Sequence, residues 1–190
     1  LIILNSVVQY FPNVDYLLEV LDQAAKHLNP KGKIFLGDLR NFDTLENFQA
    51  GVAFAQAKTE VSTDTLKKKV QQAIHAEAEL VLSPEIFGLL PSQLPWIQSV
   101  ILQPKQGKYD NEMNRYRYDV VLETAERQLS SIQWQDWAKD STLDSVKNEM
   151  ETTHEAILAY RGISDPRVVK DRAILEGVEA ISLQGTVQIG

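Results

Sequence analysis

The stretch Leu1-Ile2-Ile3-Leu4-Asn5-Ser6-Val7-Val8-Gln9-Tyr10-Phe11-Pro12 decides the fold class. Its apolar run from Leu1 to Leu4 passes straight into the polar pair Asn5-Ser6. A continuous apolar run predicts a strand buried on both faces, as in the parallel sheets of α/β proteins. Open α/β sheets bind ligands at the carboxyl ends of their strands, so Asn5 and Ser6 fall where a site is expected. The chain opens inside this strand with no initiator Met, and the expectation is that the sheet continues upstream of Leu1.

Outward from this stretch, Asn13 and Asp15 can cap a helix whose apolar face is Leu17, Leu18, Leu21, Ala24, Ala25 and Leu28. Asn29-Pro30-Lys31-Gly32 stops it, and Lys33 to Gly37 returns as a strand. The unit predicts a right-handed crossover between parallel neighbours. The second strand also ends in polar residues, Asp38 and Arg40, so two adjacent strands present polar tips at the same sheet edge. Helical patterns follow over Leu45 to Ala57 and Thr63 to Leu82, then a short helix opened by Ser83-Pro84-Glu85 and ending near Leu90-Pro91. Trp96 to Gln103 and Tyr116 to Leu122 read as strands; the polar connection between them has no helical pattern, which predicts an antiparallel hairpin at one edge of the parallel sheet. Residues 126–190 are expected to form a mostly helical tail, with helices around Leu143 to Met150 and Val168 to Ile181. The expected organisation is a core over 1–125, with a helical insertion at about 42–94, followed by that tail.

At 190 residues the chain fits one domain, and 44% hydrophobic with 24% charged residues is an ordinary globular composition. A net charge of −7 argues against a general nucleic-acid binder. The Lys67-Lys68-Lys69 run reads as a solvated helix face. With no Cys there are neither disulfides nor thiolate metal sites, which fits a cytoplasmic setting. His27, His75 and His154 are far apart, without a partner at ligand spacing, so no metal site is expected. No apolar run approaches the roughly 18 residues of a membrane helix.

Four segments together carry a family resemblance: Asn5 to Pro12; Gly32-Lys33-Ile34-Phe35-Leu36-Gly37-Asp38-Leu39-Arg40; Leu94-Pro95-Trp96; and Asn111-Glu112-Met113-Asn114-Arg115-Tyr116-Arg117-Tyr118-Asp119-Val120-Val121-Leu122. In this order they resemble the second half of a class I S-adenosyl-L-methionine-dependent methyltransferase. More narrowly, they resemble the methyltransferase domains embedded in nonribosomal peptide synthetases, particularly those interrupting an adenylation domain. The tail follows the pattern more loosely: its loop reads Ile163-Ser164-Asp165-Pro166-Arg167, where similar proteins more often show Ile-Pro-Asn-x-Arg. The resemblance implies a Rossmann-like sheet and transfer of a methyl group from the cofactor's sulfonium, usually to the amine of an aminoacyl thioester. The implied partners are a carrier protein, an adenylation domain and an amino-acid substrate. It also implies a gap. The nine glycines never fall as Gly-x-Gly, whereas the resembled fold holds the cofactor with such a loop and with an acidic residue after the next strand. The expectation is therefore that this chain alone binds S-adenosyl-L-methionine weakly or not at all. An O- or C-methyltransferase of similar fold stays open, as does a non-catalytic remnant or interaction module.

The candidate site residues follow. By the resemblance Asn5 and Ser6 bind substrate and cofactor beside the methyl donor; otherwise they cap a helix entry. Gln9 is a substrate-binding candidate on the same loop. Tyr10 is a catalytic candidate, able to wall the sulfonium with its ring face or to hydrogen-bond the acceptor, unless it packs beneath the next helix. Asp38 is the catalytic candidate for holding an ammonium group before methylation, with Arg40 beside it for substrate; the alternatives are a surface ion pair or a loop anchor. Glu112 and Arg115 either shape the acceptor pocket or form a solvated rim. Arg117 and Asp119 are expected to be structural partners, Phe48 and Phe54 to be core, and the insertion at about 42–94 to set substrate specificity.

Overall fold

The computed structural model describes residues 1–57, 61–126, 132–153, 157–181 and 186–187; His154 lies outside them. The chain divides into two compact units, Leu1–Glu126 with Pro166–Gly190, and Arg127–Asp165.

The first unit is built on β1 (Ile2–Asn5), α1 (Val14–Ala25) and β2 (Lys33–Arg40). Asn13 caps α1 by accepting the Tyr16 amide at 2.9 Å. β1 and β2 pair in parallel, as the strand–helix–strand pattern predicts. There follow α2 (Leu45–Ala55), β3 (Val61–Ser62), α3 (Thr63–His75), α4 (Glu85–Gln93), β4 (Ser99–Pro104), α5 (Glu112–Tyr116) and β5 (Arg117–Glu123). The four-stranded sheet has the order β1-β2-β5-β4, with β5 antiparallel to both its neighbours. Three strands thus share a direction, and the architecture is mixed α/β, compatible with a Rossmann-like fold. The expected hairpin is present, but it is joined through the one-turn α5, whose N-cap Asn111 accepts the Asn114 amide.

One sheet face carries the main core. Ile34 pairs Leu122 and Leu36 pairs Val120 in register, and these four pack with Leu17 and Leu21 of α1 and Phe87 and Leu90 of α4. The expectation that the first strand is buried on both faces does not hold: its burial alternates, and Ile3 is 60% exposed. The cause is that α1 and α4 pack on the Ile34–Val120 face, whereas Ile3, Phe35, Val121 and Ile101 continue across the other face in register. A second cluster joins α2, α3 and α7 (Val169–Ile181) through Ala50, Ala53, Leu66, Val70 and Ile174. β3 pairs with β8 (Thr186–Val187).

α3 stops at His75, not at Leu82 as the apolar spacing predicts. Tertiary partners claim the next residues: the Leu80 amide donates to the Gln9 carbonyl at 2.7 Å, and Leu82 bridges Asn41.

The second unit is a small parallel pair, β6 (Trp134–Asp136) with β7 (Ala159–Arg161), and α6 (Leu143–Thr152) lies between them in the chain. A Thr142–Ser145 capping box opens α6. The Tyr160 hydroxyl and the Gln135 amide both donate to Glu149, which holds its carboxylate below the usual range.

No helix among the described residues is long and apolar enough to cross a membrane.

Candidate functional site

The site begins with a β-bulge. Between Leu36 and Leu39 the β2–β5 register shifts, so that Gly37 and Asp38 stand against Asp119. Asp38 takes a left-handed backbone (φ 69°), a conformation that Asp tolerates better than most residues because its short polar side chain bonds locally. The bulge frees the Asp38 amide, and Asp119 Oδ1 accepts it at 2.8 Å. Bulges of this kind re-aim a side chain and are over-represented next to active sites. Across the parallel pair, Ser6 is also left-handed (φ 54°), its amide donates to the Gly37 carbonyl, and its hydroxyl donates to Asp38 Oδ2 at 2.9 Å. Two strained residues at adjoining strand ends are therefore joined through their side chains. Gly37 lets Asn5 lie close against the strand: a Cβ would lie 2.1 Å from Asn5 Oδ1, so a larger residue would displace that side chain.

Asp38 is only 2% exposed. Arg117 Nη1 donates to its Oδ2 at 2.9 Å, and Lys105 Nζ stands 3.5 Å from its Oδ1. Lys105 bonds Asp119 at 2.7 Å and Arg117 Nη2 reaches Glu112 at 3.2 Å. Asp38 Oδ1 has no hydrogen-bond partner among the described residues. Arg117 and Asp119 are thus partners of Asp38 and not, as expected, of each other.

The other predicted residues divide. Asn5 donates to the Ser6 hydroxyl at 3.1 Å and belongs to this group. Tyr10 is 71% exposed at the end of the Val8–Tyr10 turn. Gln9 is buried, its Oε1 without a partner among the described residues. Arg40 is turned elsewhere: it pairs with Glu77 and Glu79 and lies over the Phe48 ring, 5.7 Å from its centroid. Burial opposes its charge, but the hydrogen bonds and charges of the two glutamates outweigh that and hold its pKa above the ordinary value.

Glu112 and Arg115 line a cleft of about 380 Å³ between α2, α5 and α7, together with Phe48, Phe54, Tyr116 and Asp171. Arg115 bridges Asp110 (2.5 Å) and Asp171 (2.9 Å), and the Tyr116 hydroxyl also donates to Asp171. Gly51 admits this carboxylate, since a Cβ there would sit 2.6 Å from Asp171 Oδ1. The cleft meets the bulge at Glu112, the residue that Arg117 shares with Asp38. Lys105 and Asp171 carried no sequence signal; Arg167 carried one only as the end of the loop at Ile163. Among the described residues no group of three or more His, Asp or Glu could hold a metal.

Burial, reinforced for Tyr116 by Asp171 and for Tyr118 by Asp43, pushes both phenols well above their ordinary range. A folded pKa above the unfolded value means stability that is complete below about pH 10 and lost as pH rises through the folded values. Urea midpoints are therefore expected to fall above about pH 10, and a Tyr118→Phe variant should show a shallower alkaline loss; equal slopes would contradict this.

No family model matches the sequence. Over 181 residues the chain is 39% identical to the chondramide synthase of Chondromyces crocatus, covering 92% of this chain and 5% of that protein. It is 35% identical over 185 residues to a probable non-canonical nonribosomal peptide synthetase of Salinispora arenicola, covering 95% of this chain and 2% of the other. It is also 30% identical over 165 residues to the cyclosporin synthetase of Tolypocladium inflatum, covering 87% of this chain and 1% of that one. The chain spans 5% or less of the length of these relatives. Nearly all of it is therefore similar to a short stretch of very long peptide synthetases, which is consistent with a domain embedded in such an enzyme.

Proposed function

We propose that the chain is part of an S-adenosyl-L-methionine-dependent methyltransferase embedded in a nonribosomal peptide synthetase, N-methylating an aminoacyl thioester on a carrier protein, with an adenylation domain as its neighbour. The observation that carries this reading is the Ser6–Asp38 pair, two left-handed residues hydrogen-bonded at the carboxyl ends of parallel β1 and β2. Strain of this kind persists where a site needs it, and this sheet edge is where ligands of open α/β sheets bind.

Asn5 and Ser6 are the residues that would hold the cofactor on this side. The fit rests on the exposed Asn5 amide beside Gly37 at the carboxyl end of the parallel pair. When bound, the cofactor supplies an electrophilic methyl group. What the chain itself must do is orient the acceptor, exclude water and remove a proton from the amine. Ser6 is the exposed end of a hydroxyl–carboxylate pair: as the amine's proton passes to Ser6 Oγ, the hydroxyl proton passes to Asp38 Oδ2 along the existing hydrogen bond. The exposed Tyr10 ring walls the reacting centre, and Gln9 supports its loop through the Leu80 amide. Glu112 and Arg115 line the cleft for the acceptor, and Arg40 acts from behind it by fixing Phe48.

The test is a complete synthetase module whose carrier is loaded with candidate amino acids, read by mass spectrometry for the gain of one CH₂ on nitrogen. Asp38→Asn and Ser6→Ala are expected to slow the transfer by about 10²–10⁴-fold. Methyl transfer to oxygen or carbon alone, or none on any acceptor, overturns the reading.

A further inference from the structure

Beside the acceptor cleft lies a second one, of about 410 Å³, that is cationic in a chain of net charge −7. Its lining includes Lys108, Arg115, Arg167 and Lys170 against a single acid, Asp110. Its walls are fixed by hydrogen bonds. Arg167 Nη1 donates to the carbonyls of Lys105 (3.1 Å) and Asn114 (3.2 Å), clamping the loop after β4 to the segment that leads into α7. From α5 the Asn114 side-chain amide donates to the loop's Tyr109 carbonyl at 2.5 Å, and Gly107 packs so closely that a Cβ would lie 2.1 Å from Asn114 Oδ1. Arg115 is occupied by Asp110 and Asp171. Lys108 and Lys170, in contrast, have no ion-pair or hydrogen-bond partner among the described residues; Lys170 acts on Asp110 only through its field.

A ligand satisfying two uncommitted ammonium groups in one cleft carries a compact, multiply charged anion, and phosphate is the group lysines take as point charges. Asp110, Arg115 and Lys170 line this cleft and the acceptor cleft alike, and Glu112 of the acceptor cleft is ion-paired to Arg117, which also holds Asp38. The two clefts therefore adjoin, and the acceptor cleft is tied to the Ser6–Asp38 pair through Glu112 and Arg117. We propose that the cleft holds the phosphate of a pantetheine arm, whose far end presents the acyl thioester in the adjoining acceptor cleft. This rests on the carrier-bound substrate of the proposed function and adds the point at which the arm is gripped.

Calorimetric titration of the chain with 4′-phosphopantetheine, pantetheine and inorganic phosphate tests it. Phosphopantetheine should bind about tenfold more tightly than pantetheine, with an affinity that falls as salt screens the lysines. The K108A/K170A double variant removes only exposed side chains and should lose about tenfold in affinity. K68A/K69A, on the exposed side of α3, should lose nothing. Equal binding of pantetheine and phosphopantetheine, or an unchanged double variant, overturns the site. Inorganic phosphate binding as tightly as phosphopantetheine, with the same lysine dependence, assigns the cleft to a free anion and overturns the arm. The two readings fail separately. Methylation of a loaded carrier by a module whose KM is untouched by K108A/K170A removes this site and keeps the function; lysine-dependent phosphopantetheine binding without methyl transfer does the reverse.

Discussion

Asp38→Ala is expected to lower unfolding free energy by about 3–5 kcal/mol, the range for breaking a buried ion pair by removing one partner. The side chains of Asp38 and Arg117 are 3% and 14% exposed, so the guanidinium is left largely desolvated. Arg117 retains Glu112, which places the loss toward the lower end of that range. Ala also sits poorly in the left-handed backbone of the bulge, whereas Asn tolerates it. Asp38→Asn should therefore cost clearly less than Asp38→Ala. In urea unfolding, adding Arg117→Met to Asp38→Ala should restore part of the loss, because a pair removed together is often nearly neutral. A single Ala variant within about 0.5 kcal/mol of the parent would show that the carboxylate is not holding the bulge.

Phe87→Ala is the second large effect, about 3–5 kcal/mol for an aromatic side chain deleted from a core. Phe87 is fully buried and meets Tyr118 edge to face, the ring centroids 6.1 Å apart. Residues 42–94 therefore do two different jobs. α4 is part of the sheet's own core, whereas α2 and α3 pack on each other and on α7. Phe54→Ala, in the second cluster where Phe54 is only partly buried, should cost less. An unfolding midpoint unmoved by Phe87→Ala would mean that α4 is an appendage of the sheet.

The elements whose partners are close in sequence were legible. The apolar run of β1, the capped face of α1 and the return of β2 state one local rule each, and the strands of the hairpin differ by only a few residues at their ends. The interior position of β5 was not legible, because strand order is settled by long-range pairing that no local pattern encodes. The end of α3 misled for a related reason: Ala78 and Val81 keep helical spacing, but Glu77 and Glu79 are recruited by Arg40 and Leu80 by Gln9. At the site, Asn5, Ser6 and Asp38 could be placed together because strand ends in a parallel pair share an edge. Asp171 could not, being one acidic residue in the first turn of a distant helix. The bulge was hidden because Leu36-Gly37-Asp38-Leu39 does not say which residue is the extra one.

The insertion of β5 between β2 and β4 also has a consequence during synthesis. β2 can pair with β1 as soon as residue 40 is free, but its other neighbour is residues 117–123, and β4 has nothing to join until they arrive. At about 5–20 residues per second, the ribosome needs roughly 4–15 s to deliver the intervening residues 41–116. For that interval β2 exposes a hydrogen-bonding edge, a natural target for holdase chaperones on the nascent chain. Slow or paused translation across 41–116 should therefore lower the soluble yield more than an equal delay placed after residue 123.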